Sequence, residues 1–322
     1  MIPSPVWLGA RDSCLYSHLN PNSMSVVKSF AWRWLAVRSS LRGWLTKSLI
    51  FPLLLLSLSE MQAQFPAIPI VLQPGKVLGK AEYVVDYSYW SKTAPRSKDS
   101  VEDIIRLELG QTFVKSYSYR LWQADSALTH APDKSARMRV PEDGMSPFWY
   151  YRDLTNGRTQ VWYRTPLSGP ILSYIDTPTF SWTITGSKKT ISGYETQLAT
   201  CVFRGRSYEA WFTPSIPISA GPSLFGGLPG LILELRSVDG THHFTLDALQ
   251  KRAEDIVEWK VRLVKIVSRP QFRNYYERVH KHPIQTLRSN GQRIYPQDDQ
   301  GNFISEAEAV DWQIPYNPIE LE

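Results

Sequence analysis

The residues best equipped for chemistry in this chain are its histidines, so their spacing is weighed first. His242 and His243 are adjacent in a stretch with strand character. Neighbours on a strand point to opposite faces, so the two do not chelate one ion together. His280 and His282 stand two apart at the end of a helical pattern, not at the i, i+4 spacing of a helical metal pair. All four read as solvated histidines. Cys201 is flanked by Ala199, Val202 and Phe203, with no histidine close in sequence to act as its base, and reads as a small buried hydrophobe. Residues 64–322 contain no HExxH, CxxC, GxSxG, Walker loop or GxGxxG. The carboxylates are scattered, and no spacing singles out a catalytic pair. No catalytic residue, metal ligand or cofactor is assigned.

Two features stand above this background. The first is the string Gly226, Gly227, Leu228, Pro229, Gly230, Leu231, Ile232. Its glycines permit positive φ or close approach of another backbone, while Pro229 fixes a dihedral and removes a donor. We expect a tight, buried entry to a central strand; the alternative is a backbone-lined cleft for a ligand. The second is a crowd of rings: Phe148, Trp149, Tyr150, Tyr151, Trp162 and Tyr163. Adjacent strand residues alternate in side, so both faces of that hairpin carry large rings. One face is core. The other, with Trp149, Tyr151 and Trp162, is covered by the terminal helix or left exposed as a binding surface for a polypeptide, glycan or lipid.

The elements that must position these groups are mostly strands. Tyr83, Val85, Tyr87 and Tyr89 share one face at period two; Ile105, Leu107 and Leu109 repeat the pattern until Gly110 ends it. Residues 123–145 read as a polar, irregular surface excursion. Strands over 148–153 and 160–164 flank Asn156-Gly157, which predicts a type I′ turn. Strands over 201–203 and 208–212 flank Arg204-Gly205-Arg206, and strands over 231–235 and 244–248 flank Asp239-Gly240. Val257, Trp259, Val261 and Leu263 alternate with Glu258, Lys260 and Arg262, a half-buried strand. One helix is predicted: Pro270 opens it, Phe272, Tyr275, Tyr276 and Val279 form its apolar stripe, and Pro283 stops it. The expected fold is mainly β, all-β or α+β: a curved antiparallel sheet of about ten strands with one amphipathic helix packed on it.

Three segments follow. Residues 1–63 read as a signal peptide: Arg38, Arg42 and Lys47 precede the apolar run of residues 49–58, and small or polar residues follow. Ten residues rise only ~15 Å as a helix, half of a ~30 Å hydrocarbon core, so no stable transmembrane span is expected after processing. Cleavage is placed between Ala63 and Gln64. Residues 1–23 are a candidate over-extension, with Met24 as the alternative start. Residues 64–283 form the antiparallel β domain, and 284–322 a loosely packed polar tail.

Hydrophobic residues make up 43% and charged residues 20%, enough for a packed core. The formal net charge of +6 sits largely in the leader, where six basic residues face two acidic ones; residues 64–322 carry 30 basic and 28 acidic side chains. A near-neutral domain lacks the electrostatic footprint of a nucleic-acid binder. With Cys14 lost in the leader, Cys201 is left without an internal disulfide partner.

The segment from Gly227 to Ile232 is the string after which the GLPGLI family of exported bacterial proteins is named. The approach to it is similar to that family as well: Ile191-Ser192-Gly193-Tyr194, Ala199-Thr200, Arg204-Gly205-Arg206, Ala210-Trp211-Phe212-Thr213, Ile216-Pro217 and Gly221-Pro222. The resemblance is strong from about residue 179 to 235 and weaker over 83–117. It implies export to a Gram-negative envelope, in the periplasm or at the outer membrane. Members of the family are encoded beside outer-membrane receptors of the TonB-dependent type, which makes such a receptor, or another envelope protein, the candidate partner. It supplies no activity, cofactor or catalytic residue. The leading expectation is a non-enzymatic binding or accessory module of the cell envelope. The alternatives are a hydrolase with a dispersed site, marked by a polar pocket with paired carboxylates, and a lipid carrier, marked by a large apolar cavity under the helix.

Overall fold

The computed structural model describes residues 67–131, 144–166, 169–291, 302–303, 305 and 313–322. The leader and the cleavage position at Ala63 and Gln64 lie outside them. Among the described residues one twelve-stranded sheet forms the body of the domain. Its strands are β1 (Gln73–Lys92), β2 (Ser100–Gly110), β3 (Phe113–Ser118), β4 (Phe148–Asp153), β5 (Thr159–Arg164) and β6 (Ile171–Asp176). They continue with β7 (Thr183–Ile191), β8 (Tyr194–Phe203), β9 (Arg206–Thr213), β10 (Leu231–Ser237), β11 (His242–Lys260) and β12 (Val264–Ile266). The order across the sheet is β12-β6-β5-β4-β3-β2-β1-β11-β10-β9-β8-β7. The mainly β class read from patterning is what the protein adopts. The long pair β1–β11 holds the middle, and register shifts along it, as between Ala81 and Tyr83, bend the sheet.

One pairing departs from the antiparallel expectation. The edge strand β12 runs parallel to its neighbour β6, with Ile171 N bonding Leu263 O at 3.0 Å and Val267 N bonding Ser173 O at 3.0 Å. The chain reaches that edge by crossing over from the middle of the sheet, and only a hairpin connection would have required antiparallel pairing.

The turns show a second difference. Asn156-Gly157 does not form a type I′ turn: Gly157 has φ of 73°, but Asn156 is not left-handed. Asp153 takes over instead, accepting Thr155 N at 2.9 Å and Asn156 Nδ2 at 2.7 Å, and the loop closes through Gly157 N to Asp153 O at 2.9 Å. Two other hairpin turns do have both residues left-handed: Ser192-Gly193, at φ of 49° and 85°, and Arg204-Gly205, at 45° and 81°.

Three helices, not one, lie among the described residues. The predicted one, α2 (Arg269–Lys281), is closed by a capping box between Ser268 and Gln271 and carries Pro270 in its first turn. α3 (Pro283–Ser289) follows directly, within the expected loose tail. The third, α1 (Tyr119–His130), occupies part of the expected irregular excursion. Its N-cap Ser118 accepts Leu121 N at 3.1 Å. Its seal is ionic: Asp125, 1% exposed, takes two hydrogen bonds from Arg164 of β5 at 2.9 and 2.7 Å. Hydrophobic periodicity does not register such a contact.

The main core lies on one face of the sheet. Tyr87, Leu107, Leu109, Tyr163, Tyr208, Phe212 and Phe244 of the strands pack there against Phe225 and Leu228 of the loop before β10, and against Phe272 of α2.

Candidate functional site

The motif is the loop that covers this core. Leu228 is 2% exposed, and Leu231, Ile232 and Leu233 are fully buried. A register shift between Ile232 and Glu234 lets three consecutive apolar residues be buried where strict alternation would expose one. Gly230 is required by space: a Cβ there would lie 2.1 Å from Thr213 O. Gly226 makes room for a cation, since its Cβ would lie 2.1 Å from Arg152 Nη1. Gly227 has φ of 86° and bonds Ser219 Oγ through its N–H at 2.9 Å. Gly226 O accepts Trp182 Nε1 at 2.8 Å, and Ile232 O accepts Tyr87 Oη at 2.7 Å. Pro229 sits in the tight turn closed by Gly230 N to Leu228 O at 2.8 Å. Arg152, under the loop, is a charged group that motif spacing could not reveal. Burial lowers its guanidinium from the usual range.

The aromatic hairpin needs a correction. Trp149, Tyr151 and Trp162 do not form an exposed surface; they are buried in a second cluster with Tyr117 and Ile171. Nor is the terminal helix their cover. Trp122 of α1 and Trp259 of β11 close this face, with the Trp149 and Trp162 rings stacked at 5.5 Å. Helix α2 covers the opposite face, where Phe272 and Tyr276 meet Phe148 and Tyr163 at ring distances of 5.2–6.0 Å. Inside the second cluster, Glu108 accepts Lys115 Nζ at 3.2 Å and Tyr117 Oη at 2.9 Å. Burial pushes Glu108 up and Lys115 down, and the ammonium lies 3.9 Å from the Trp259 ring centre.

The remaining chemistry-bearing residues are separated. His242 faces the main core and bonds Tyr89 Oη through Nδ1 at 2.9 Å, and burial holds its pKa down to about 4. His243 turns to the other face, 3.4 Å from Glu234. Burial pushes the Cys201 thiol up to about 12, so it stays protonated. No cluster of three His, Cys, Asp or Glu residues able to hold a metal occurs among the described residues. No described helix is long and apolar enough to cross a membrane.

What the structure does assemble is a groove, and residues 313–322 lie in it. These residues, expected as part of a loose tail, are docked. Its walls are α2, the β8–β9 turn and the end of β1. His280 of α2 donates Nδ1–H to Pro315 O at 2.7 Å and accepts Ile314 N at its main-chain O at 2.9 Å. Arg206 Nη2 reaches Pro318 O at 3.0 Å and Asn317 Oδ1 at 2.9 Å. Tyr208 Oη donates to Ile319 O at 2.6 Å, and Arg273 Nη1 to Glu320 O at 2.9 Å. The Glu320 carboxylate, in turn, pairs with Arg204 at 2.7 Å and Arg269 at 2.6 Å. Two spaces remain beside the segment: a cavity of about 160 Å³ and another of about 50 Å³. The first is walled by Phe148, Tyr163 and Tyr276 on one side and Ile314, Asn317 and Pro318 on the other. The second lies beneath α2 and is far smaller than the ~300–1,000 Å³ of a site for a drug-sized ligand.

Residues 202–234, from the end of β8 into β10, match a family described as a protein of unknown function (Porph_ging). No curated protein matches the chain. Among solved structures, PNGF-II in its P21 form is similar at 12% identity and a TM-score of 0.42, over 61% of this chain and 32% of that one. Its C2 form gives 11% and 0.41 over the same shares, 61% and 32%. This chain therefore spans about a third of the PNGF-II chain. A domain described as belonging to an outer membrane lipoprotein-sorting protein of Vibrio parahaemolyticus gives 9% identity and a TM-score of 0.25, over 53% of this chain and 85% of that one.

Proposed function

We propose that this protein is an exported accessory module of a Gram-negative cell envelope, of the GLPGLI type that its motif resembles, and that it acts by binding another envelope component. The observation that carries the binding reading is the groove beside α2. Its arginines, tyrosine and histidine are aimed at main-chain carbonyls and one carboxylate of an extended segment, which is how a surface holds a polypeptide. The leader supports export, since its basic, apolar and polar regions follow in the order of a secretory signal. The near-neutral balance of residues 64–322 fits a protein partner, such as an outer-membrane receptor, better than nucleic acid.

Envelope fractionation with N-terminal sequencing tests the export half of this reading. The expected product begins at or next to Gln64; a protein that keeps residues upstream of Leu49, or stays in the cytoplasm, overturns it. Crosslinking in cells followed by purification tests the binding half, with a discrete envelope protein recovered as the expected result. Recovery of the chain alone, at any crosslinker length, overturns that half.

A further inference from the structure

We propose that the groove is a peptide site occupied in cis by residues 313–322, and that its partner is an extended proline-containing segment of another protein with a carboxylate two residues after the proline. This rests on the reading of the groove as a binding site and names the class of partner it takes.

The chemistry of the occupant is legible in its contacts. Three successive carbonyls, of Pro318, Ile319 and Glu320, are each taken by a side-chain donor: Arg206, Tyr208 and Arg273. Main-chain recognition of this kind reads an extended backbone and not a particular sequence. Specificity comes from two further features. Pro315 and Pro318 lack an N–H, so the segment lies against the groove with two fewer donors to satisfy. Glu320, two residues past Pro318, is 8% exposed and sits between Arg204 and Arg269, a charge-assisted clamp for a carboxylate.

The fit of the cis occupant is what points to a partner in trans. Polar contacts hold the segment, but its apolar side underfills the groove. The cavity of about 160 Å³ against Phe148, Tyr163 and Tyr276 is about the size that accommodates a benzene ring. A segment with a larger side chain at the position of Ile314 would fill that space and keep the hydrogen bonds to Pro315, Asn317, Pro318, Ile319 and Glu320. Such a segment would outcompete residues 313–322.

A labelled synthetic peptide of residues 313–322, titrated against the full chain, tests this. Glu320→Lys in the protein weakens the cis segment by placing a third cation between Arg204 and Arg269. That variant is expected to bind the wild-type peptide at least about tenfold more tightly than the wild-type protein does. The same substitution in the peptide should weaken binding at least about tenfold, and Tyr208→Phe in the protein should weaken it several-fold. A peptide with Phe in place of Ile314 should bind more tightly than the wild-type one. Should Glu320→Lys fail to fold, hydrogen exchange on the wild-type chain gives the answer: saturating Phe-containing peptide should speed exchange of the Ile314 and Leu321 amides, which bond His280 O and Arg204 O. Unchanged exchange at millimolar peptide, or binding indifferent to the peptide's glutamate, overturns the proposal. A chain that crosslinks to an envelope protein but ignores every peptide overturns the partner class and leaves the accessory function standing. Tight peptide binding by a chain that is never exported supports the groove and removes the cellular reading alone.

Discussion

The loop before β10 and the segment 313–322 lie against the same core, but different forces hold them there. The loop is fixed by burial: Leu228, Leu231, Ile232 and Leu233 are out of water, and Gly230 lets the chain pass Thr213 O at a distance no side chain would allow. The segment is fixed by donors and charges, with Ile314 and Pro318 as its modest apolar anchors and unfilled space beside them. Helix α1 belongs to the second kind, since Asp125 and Arg164 seal it. Burial of a packed loop tolerates no substitute, whereas a polar clamp can release one chain and take another. The contrast places the fixed part of the molecule at the motif and the exchangeable part at the groove.

The largest expected effect sharpens the first half of that contrast. Gly230→Val forces the backbone of β9 or of the motif to move and should cost more than ~4 kcal/mol, leaving little folded protein by circular dichroism. A variant melting like the wild type would mean that the loop is no strand entry. Asp125→Asn asks whether a charged seal can matter as much. It leaves Arg164 buried against a neutral group, and chemical denaturation should show a loss of ~3–5 kcal/mol. Leu231→Ala and Leu233→Ala should each cost ~2–5 kcal/mol by the same measurement, as large-to-small changes at fully buried positions. Gly157→Val, in the exposed β4–β5 loop, meets only Thr177 at 3.7 Å, so backbone strain at positive φ is its whole effect, ~1–3 kcal/mol.

The smallest effect at neutral pH grows on acidification. His242 titrates near 4 in the folded protein against 6.5 in the unfolded chain, and His280 is shifted in the same direction by burial. Between those values the unfolded chain binds the proton that the folded one refuses, so the histidine contribution is complete above about 6.5 and falls as pH drops toward 4. Asp103, which burial raises to about 6, works in the opposite sense over the same window, so the His242 contribution is read as the difference in melting temperature between the wild type and a His242 variant. His242→Gln, which keeps an acceptor toward Tyr89, should lose less on acidification than the wild type. A difference that stays constant with pH would show that His242 takes no part.

Much of the fold could be read from local chemistry. Tyr83 to Tyr89 and Ile105 to Leu109 show the alternation of β1 and β2, and Phe272, Tyr276 and Val279 show the stripe of α2. The turn at Asn156-Gly157 was legible as a turn but not as a type, because the neighbouring Asp153 carboxylate outbid the mirror-image geometry. The ring-rich hairpin was legible as two-sided, while the cover of its second face was not. Trp122 and Trp259 come from distant elements, and α1 carries no apolar stripe to announce it. The groove left no motif at all. Its donors are Arg204, Arg206, Tyr208, Arg269, Arg273 and His280, ordinary polar residues in two places along the chain.

By itself, then, the amino-acid sequence determined what period and turn chemistry can determine: strand content, the inward faces of β1 and β2, the hairpins, and a glycine at 230 where another backbone passes. The alternation over 257–263 misled, since β11 ends at Lys260 and Leu263 is 75% exposed. Only the tertiary structure decided the parallel edge at β12, the covering of Trp149, Tyr151 and Trp162, and the docking of residues 313–322. The physical reason is the range of the interactions. Alternation and turns act between near neighbours, whereas Arg164 meets Asp125 across 39 residues and Asn317 reaches Lys92 O across 225. Polar contacts at such separations impose no period on the residues between them, so they are decided where the folded chain brings the partners together.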